Sequence, residues 1–292
     1  MLVYRGQVDP GLALDLPTLR GSFAFPIKYG YASVGCVEAV GPEVTRLEIG
    51  DLVFVHHPHQ TAYVVAASAA ILLPPSTEAE AAVLLANLET AVNITLDAHL
   101  SIGDRVIVFG QGVVGLLLTQ VLKRSGARTV IAVDPVNRRR EAALQVGADA
   151  AIEPAPSLVE QVKALTHGAG ADVAIEVSGN PAALDLAIDG LRFQGTIVAA
   201  SWYGTKPATL HLGGAFHRNR LRIVSSQVSH LDPTLGPSWT RERRLQTAID
   251  LLPTLKTREL ITHRFSIAEA GEAYRTLDEH PEEALQVVFR YV

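Results

Sequence analysis

The sequence predicts an α/β protein, a doubly wound parallel sheet accompanied by a smaller β unit drawn from both ends of the chain. Three observations carry this expectation. From about Ser101 onward, continuous apolar strands alternate with amphipathic helices. Before that point, short β-branched stretches are separated by Gly-Pro and Gly-Asp turns. The chain then closes on a strand, a helix and a strand.

At 292 residues, with 48% hydrophobic and 19% charged residues, the chain can bury two cores. A net charge of -5 without basic blocks argues against nucleic acid or an anionic membrane as partner and for a small molecule. The single cysteine, Cys36, excludes an intrachain disulfide and a structural zinc cluster of thiolates. No apolar run approaches the roughly 18 residues that span a bilayer, and "MLVYRGQVDP" lacks a basic-then-apolar layout. A cytoplasmic location is expected.

Taken in order, "VGCVEAV", "DLVFV" and "AYVVAA" read as strands of the β unit, broken at Gly41-Pro42 and Gly50-Asp51. "DRVIVF", "TVIAVD", "DAAI", "DVAIEV" and "GTIVAA" read as strands of the parallel sheet. Helices such as "VVGLLLTQVLKRSG" and "NRRREAALQVG" separate them, with Gly126 and Gly147 where C-terminal caps belong. Pro181 fits the first turn of the helix after the fourth strand. "LRIVSS" is a further strand, "SHLDPTLGPSW" a joint, and Trp239 to Leu252 a helix.

The stretch "VIVFGQGVVGLLL" sets Gly110, Gly112 and Gly115 in G-x-G-x-x-G spacing between a buried strand and a helix. The first glycine permits the tight turn, the second lets backbone approach a pyrophosphate, and the third allows close helix-to-sheet packing. Val113 and Val114 open the helix, whose N-terminal amides face the anion. Asp134 ends the second strand, where a carboxylate accepts hydrogen bonds from ribose hydroxyls and repels a 2′-phosphate. NAD is therefore expected over NADP, with Arg138, Arg139 and Arg140 as the opposing signal. Ligands of open parallel sheets bind at the carboxyl edge, which adds Val177, Ser178, Gly179, Ser201 and Trp202 as cofactor contacts. For Trp202 and its neighbour Tyr203, packing alone is the competing reading.

With "VGPEVTRLEIGDLVF" in the β unit, the glycine turn, and "THRFSIAEAGEAYRTL" near the end, the chain resembles the medium-chain dehydrogenase/reductase superfamily of zinc-type alcohol dehydrogenases over essentially its whole length. Within it, "YRG", "FPIKYGYASVG" and "HPHQTAYVV" look most like the subgroup that includes bacteriochlorophyllide dehydrogenase. The resemblance implies a Rossmann dinucleotide-binding domain over residues 98–235. It further implies a GroES-like catalytic domain over 1–97, shortened at its start, and a C-terminal return to that domain over 236–292. It also implies a homodimer or homotetramer paired through a strand near Arg220 to Ser226.

In metal-bearing members the segment that here reads "GYASVGCVEAVG" reads G-H-E-x-x-G-x-V-x-x-V-G. Its two ligand-side positions are Tyr31 and Ala32 in this chain, and the further ligand position before the connecting helix is Ala86, followed by Asn87. Leu2 to Arg20 contain no Cys or His. A phenol and methyl groups cannot replace imidazole, carboxylate and thiolate around zinc, so no zinc is expected.

Without a metal, hydride transfer still needs a group to polarise a carbonyl and to handle a proton. Tyr31 is the first candidate, against the reading of a core tyrosine. His59, in a loop with His56 and His57, is a further candidate against a solvated loop, and Asn87 at the opening of the connecting helix is another. Thr90 matches the threonine beside the nicotinamide in relatives, against simple helix capping, and Arg139 the basic residue near the adenosine ribose, against a surface helix face. Glu89 reads as an exposed first-turn residue stabilised by the helix dipole, ahead of a general acid. The expected activity is zinc-independent, NAD(H)-dependent interconversion of a secondary alcohol and a ketone or aldehyde, with a small alcohol or carbonyl as partner. An NADPH-dependent quinone or enoyl (C=C) reductase and a non-catalytic dinucleotide-binding protein are the alternatives.

Overall fold

The structure is a computed structural model and describes residues 1–16 and 19–291. Strands β1 (Ala13–Leu16) and β2 (Leu19–Ser22) pair antiparallel, and β3 (Ser33–Cys36), β4 (Leu52–Val55) and β5 (Ile71–Leu72) form a second antiparallel sheet. Helices α1 (Ala79–Ala82) and α2 (Leu85–Asp97) lead into the alternating part. It runs β6 (Arg105–Phe109), α3 (Val113–Arg124), β7 (Thr129–Val133), α4 (Asn137–Gln145), β8 (Ala150–Ile152), α5 (Leu158–Leu165), β9 (Ala171–Glu176), α6 (Pro181–Asp189), β10 (Leu191–Ala199) and β11 (Arg222–Ser225). The chain ends with α7 (Arg241–Leu251), β12 (Ile261–Ser266), α8 (Ala270–Glu279) and β13 (Gln286–Arg290).

The six strands of the alternating part pair in the order β11-β10-β9-β6-β7-β8, every pair parallel. Alternate residues of β6 serve opposite faces, as a strand's period of two requires. Val106 and Val108 join one core with Leu116, Leu117 and Leu88, while Ile107 and Phe109 join another with Leu184 and Ile188. Both faces are therefore covered, which explains why these strands are apolar without alternation. The order reverses between β6 and β9, so the loops leaving their C-terminal ends diverge and open a crevice. Phe54 and Leu73 of the β unit belong to the same core as α2 and α3.

Local signals behave as their chemistry dictates. Pro181 opens α6, and the Asn180 side chain accepts from the Ala182 amide at 3.1 Å. Gly126 and Gly147 follow α3 and α4 at φ values of +96° and +110°, with Ala127 N–H donating to Leu122 O and Ala148 N–H to Ala143 O. One expected strand is absent. "AYVVAA" pairs with nothing, Val64 is 99% exposed, and β4 takes β5 as its partner instead. Tyr63, Val65 and Ala67 still pack on Leu47, Val53 and Ala70, so the alternation satisfies a small core without a ladder. Strand β10 begins at Leu191, earlier than "GTIVAA", through an irregularity between Leu191 and Thr196.

Strands β12 and β13 pair parallel and are tied to the early chain by one carboxylate. Glu80 Oε2 accepts from Arg264 Nη2 at 2.8 Å, and Glu80 Oε1 accepts from Arg290 Nε at 3.0 Å. These bonds, Arg264 first and Arg290 second, pull the Glu80 carboxyl down to about 2. A depressed carboxylate contributes stability above its unfolded value near 4.5, and that contribution is lost as pH falls toward about 2. Glu80→Gln is expected to lower the melting temperature at neutral pH by no more than about 2–4 °C, because Arg290 is largely solvated. The gap between parent and variant should close between pH 4.5 and 2. A gap that stays constant across melting curves from pH 2 to 7 would contradict the assignment.

Candidate cofactor cleft and active site

The turn after β6 has little freedom. Gly110 sits at φ +96°, and a Cβ there would lie 2.6 Å from the Ser178 Cα. A Cβ on Gly115 would lie 1.9 Å from the Gly110 carbonyl oxygen. Gly112, by contrast, meets nothing within 4 Å and caps α3 without a side-chain hydrogen bond. The amides of Val113, Val114 and Gly115 are thus left for an outside acceptor, which fits the pyrophosphate of a dinucleotide.

Asp134 is 2% exposed and staples this turn. Its Oδ2 accepts from the Gln111 amide at 2.7 Å and its Oδ1 from the Val136 amide at 2.9 Å. Each oxygen keeps a lone pair for a ribose hydroxyl. The three arginines beyond it are already engaged. Arg138 Nη1 donates to Glu283 O at 2.5 Å and Arg139 Nη2 to Pro281 O at 2.6 Å, while Arg140 Nη1 donates to the carbonyls of Asp134 and Pro135, both at 2.8 Å. Arg139 Nη1 lies 4.0 Å from the Asp134 carboxylate, and its buried Nε has no partner among the described residues.

Across the crevice, Val177, Ser178 and Gly179 form a strap at the end of β9. Glu176 beneath it is fully buried. The Ser178 amide and hydroxyl donate to Glu176 Oε1 at 2.6 and 2.5 Å, and the Tyr203 hydroxyl donates to Oε2. Burial, then Glu176 itself, drives the Tyr203 hydroxyl far up, so it remains a donor. Gly179 N–H donates to Ser201 Oγ at 2.8 Å, and Lys206 Nζ to Gly179 O at 2.9 Å.

A line of aromatic rings runs from this edge to the β unit. Trp202 and Phe23 have centroids 5.5 Å apart, Phe23 and Tyr29 6.3 Å, and Tyr29 and Tyr31 6.5 Å. Tyr31 is 42% exposed as a whole residue, while burial around its hydroxyl raises that group's pKa. Tyr29 is pushed up to about 12, by burial first and Tyr31 second.

The three loop histidines diverge. His56 Nδ1 lies 3.1 Å from Tyr31 O, and its ring meets Phe54 edge-on. His57 stacks on Tyr63 at 3.6 Å. His59 packs against Gly30 and edge-on to Phe289, where burial lowers its pKa and keeps the imidazole neutral at pH 7. Ala32 and Ala86, at the positions the resemblance aligned with metal ligands, pack into the same apolar core. Among the described residues, one group brings three His, Cys, Asp or Glu ligand atoms within 4.8 Å of one another: His280, Glu282 and Glu283, exposed on the turn before β13. The donors around Tyr31 do not fit a tetrahedral zinc.

Asn87 and Thr90 are half-buried in the first two turns of α2, and Thr90 Oγ1 donates to Ala86 O at 3.0 Å. Glu89 is not a solvated first-turn residue. Its Oε1 accepts from Arg244 Nη2 at 2.8 Å and Nε at 3.1 Å, in a pair whose side chains are 12% and 4% exposed. Sequence reasoning missed Glu176, Lys206 and Arg244. The acid before "VSG" was a readable signal for the first, and none existed for the others.

Residues 113–250 match the family described as zinc-binding dehydrogenase. D-guloside 3-dehydrogenase of Escherichia coli (strain K12) is 32% identical over 275 residues, covering 92% of this chain and 79% of that protein. An alcohol dehydrogenase of Escherichia coli CFT073, solved with NADH, superposes with a TM-score of 0.73 at 22% identity, covering 88% of this chain and 82% of the other. For 2R,3R-butanediol dehydrogenase of Bacillus subtilis the TM-score is 0.73 at 23% identity, covering 88% and 78%. The glycine turn, the crevice at the sheet reversal and this similarity together place the chain in the zinc-binding dehydrogenase family of alcohol dehydrogenase-like oxidoreductases.

Proposed function

We propose that the chain is a zinc-independent, NAD(H)-dependent oxidoreductase that interconverts a secondary alcohol and a ketone on a ring-shaped polyol such as a glycoside. The observation that carries the cofactor half is the open, uncapped cradle at Gly112, flanked by the Ser178 strap. When bound, the nicotinamide supplies or takes the hydride. Asp134, with acceptor capacity left, holds the ribose, and the bonds that Arg138, Arg139 and Arg140 already make to backbone carbonyls compete with a 2′-phosphate. Val177, Ser178, Gly179, Ser201 and Thr90 shape the site of the nicotinamide end.

The substrate class rests on the aromatic line and on the D-guloside relative. Flat faces at Trp202 and Tyr31 suit the C–H surface of a sugar ring, and the same wall would accept another bulky ring. Tyr31 has no protein partner for its hydroxyl among the described residues, and burial keeps it protonated at neutral pH. It therefore donates to a carbonyl oxygen during reduction, while its service as a base in oxidation grows only as pH rises. His59, neutral and packed on Gly30, holds the Tyr29–Tyr31 segment, and Asn87 lies at the start of α2 as a second polar group for the substrate.

Fluorescence titration of the EDTA-treated protein should show NADH binding at least about tenfold tighter than NADPH, a difference of about 1.4 kcal/mol. A preference for NADPH would favour the C=C reductase reading. Gly112→Ala should leave the melting temperature within about 2 °C, since nothing lies within 4 Å, yet weaken NADH about tenfold or more by filling the cradle. Unchanged affinity would remove the cradle from the site.

On a panel of methyl glycosides, Tyr31→Phe should cut turnover by about 10²-fold with NADH affinity altered less than about twofold. Reduction by the parent should stay flat through neutral pH, and oxidation should climb with pH. Parent-like turnover of the variant would rule the hydroxyl out, and cofactor binding without turnover on any carbonyl would favour the non-catalytic reading.

A further inference from the structure

Helix α2 carries Glu89, Asn93 and Asp97 four residues apart, and so on one face. That face is wired into a buried polar chain. Arg244 of α7 holds Glu89 through two nitrogens and donates from Nη1 to Asn93 Oδ1 at 2.6 Å. Asn93 Nδ2 donates to Asp97 Oδ2 at 2.8 Å, and Ser226 Oγ, just past β11, donates to the same oxygen at 2.6 Å. Asn93 is fully buried and Arg244 is 3% exposed.

Stability alone is a weak reason for such a chain. A buried ion pair costs desolvation that its attraction barely offsets, and apolar side chains of similar volume often serve as well. What a fully satisfied polar chain does supply is a single arrangement, because any rotation of α2 leaves a buried charge unpaired. Among the described residues, no other side chain from outside α2 hydrogen-bonds a side chain of its first turns, and Ala86 and Ala32 meet the surrounding core through methyl groups. Thr90, three residues before Asn93, borders this face, and Asn87 lies three residues before Thr90.

We propose that Arg244 is a positioning residue which, through Glu89, fixes the rotation of α2 and so holds Asn87 and Thr90 against the nicotinamide end of the cofactor. The inference rests on the oxidoreductase reading above and adds to it the device that aims its site. Arg244 lies 155 positions from Glu89, and its role is argued through that residue.

The test compares the parent, Arg244→Met and Arg244→Met/Glu89→Leu by melting temperature, NADH affinity and the emission of bound NADH excited directly. That emission reports how firmly the nicotinamide is held, while affinity is dominated by the adenosine end. The single variant should melt lower, because Glu89 is left buried and unpaired, and the double variant should recover most of the loss. In both, emission should fall at least about twofold while affinity changes less than about threefold. Parent-like emission in the double variant would show the chain to be structural only and would overturn this proposal alone. Glu89→Gln, which keeps an acceptor for both Arg244 donors, should retain most of the parent's emission, and a fall equal to that of Arg244→Met would likewise overturn it. A parent that binds no NADH would overturn the cofactor reading, and this inference with it.

Discussion

The contact on which the site depends is between two pieces of backbone, the Gly110 carbonyl and the Cα of Gly115. No side chain fits between them, since a Cβ would lie 1.9 Å from the oxygen. Because α3 can approach β6 this closely, its N-terminus points into the crevice where the sheet order reverses, and its free amides gather there. The Asp134 staple on Gln111 and the pressure of Ser178 against Gly110 hold the turn from two further sides. The cradle at Gly112 is the space this packing leaves.

What could be read in advance was local, and what could not was distant in sequence. "VIVFGQGVVG", Asp134 and Pro181 declare themselves because their geometry is set by a few neighbouring residues. "AYVVAA" misled for the same reason. Its alternation is real and is used by Tyr63 and Val65 for packing, but whether a backbone finds a partner strand is decided elsewhere, here by Ile71 and Leu72. Glu89 looked like a solvated first-turn carboxylate because Arg244 lies in a helix far down the chain, and nothing near either residue announces the pair. The loop histidines looked like a cluster on paper, and the structure turns them toward Tyr31 O, Tyr63 and Phe289 in three directions.

In the segment "GYASVGCVEAVG" the strand framework and the residues at positions 31 and 32 answer separate demands. Glycine at 35 and valine at 34 serve β3 and its pairing with β4, and those demands are unaffected by what occupies positions 31 and 32. Ala32 and Ala86 pack into the core. Tyr31 beside them is 42% exposed, and its hydroxyl has no protein partner among the described residues.

Orientation in the cleft then falls to contacts far from it. Glu80 ties the returning strands β12 and β13 to α1, the carbonyls of 281–284 receive Arg138 and Arg139 beside the Asp134 staple, and Arg244 grips α2. Each tie joins the last third of the chain to an earlier element. These are charge-assisted bonds at three places, each of which tolerates less displacement than an apolar contact because a stretched bond leaves a charge or a carbonyl unsatisfied. The C-terminal return is thus fastened to the segment that carries Asp134, because Arg138 and Arg139 of α4 donate directly to its carbonyls.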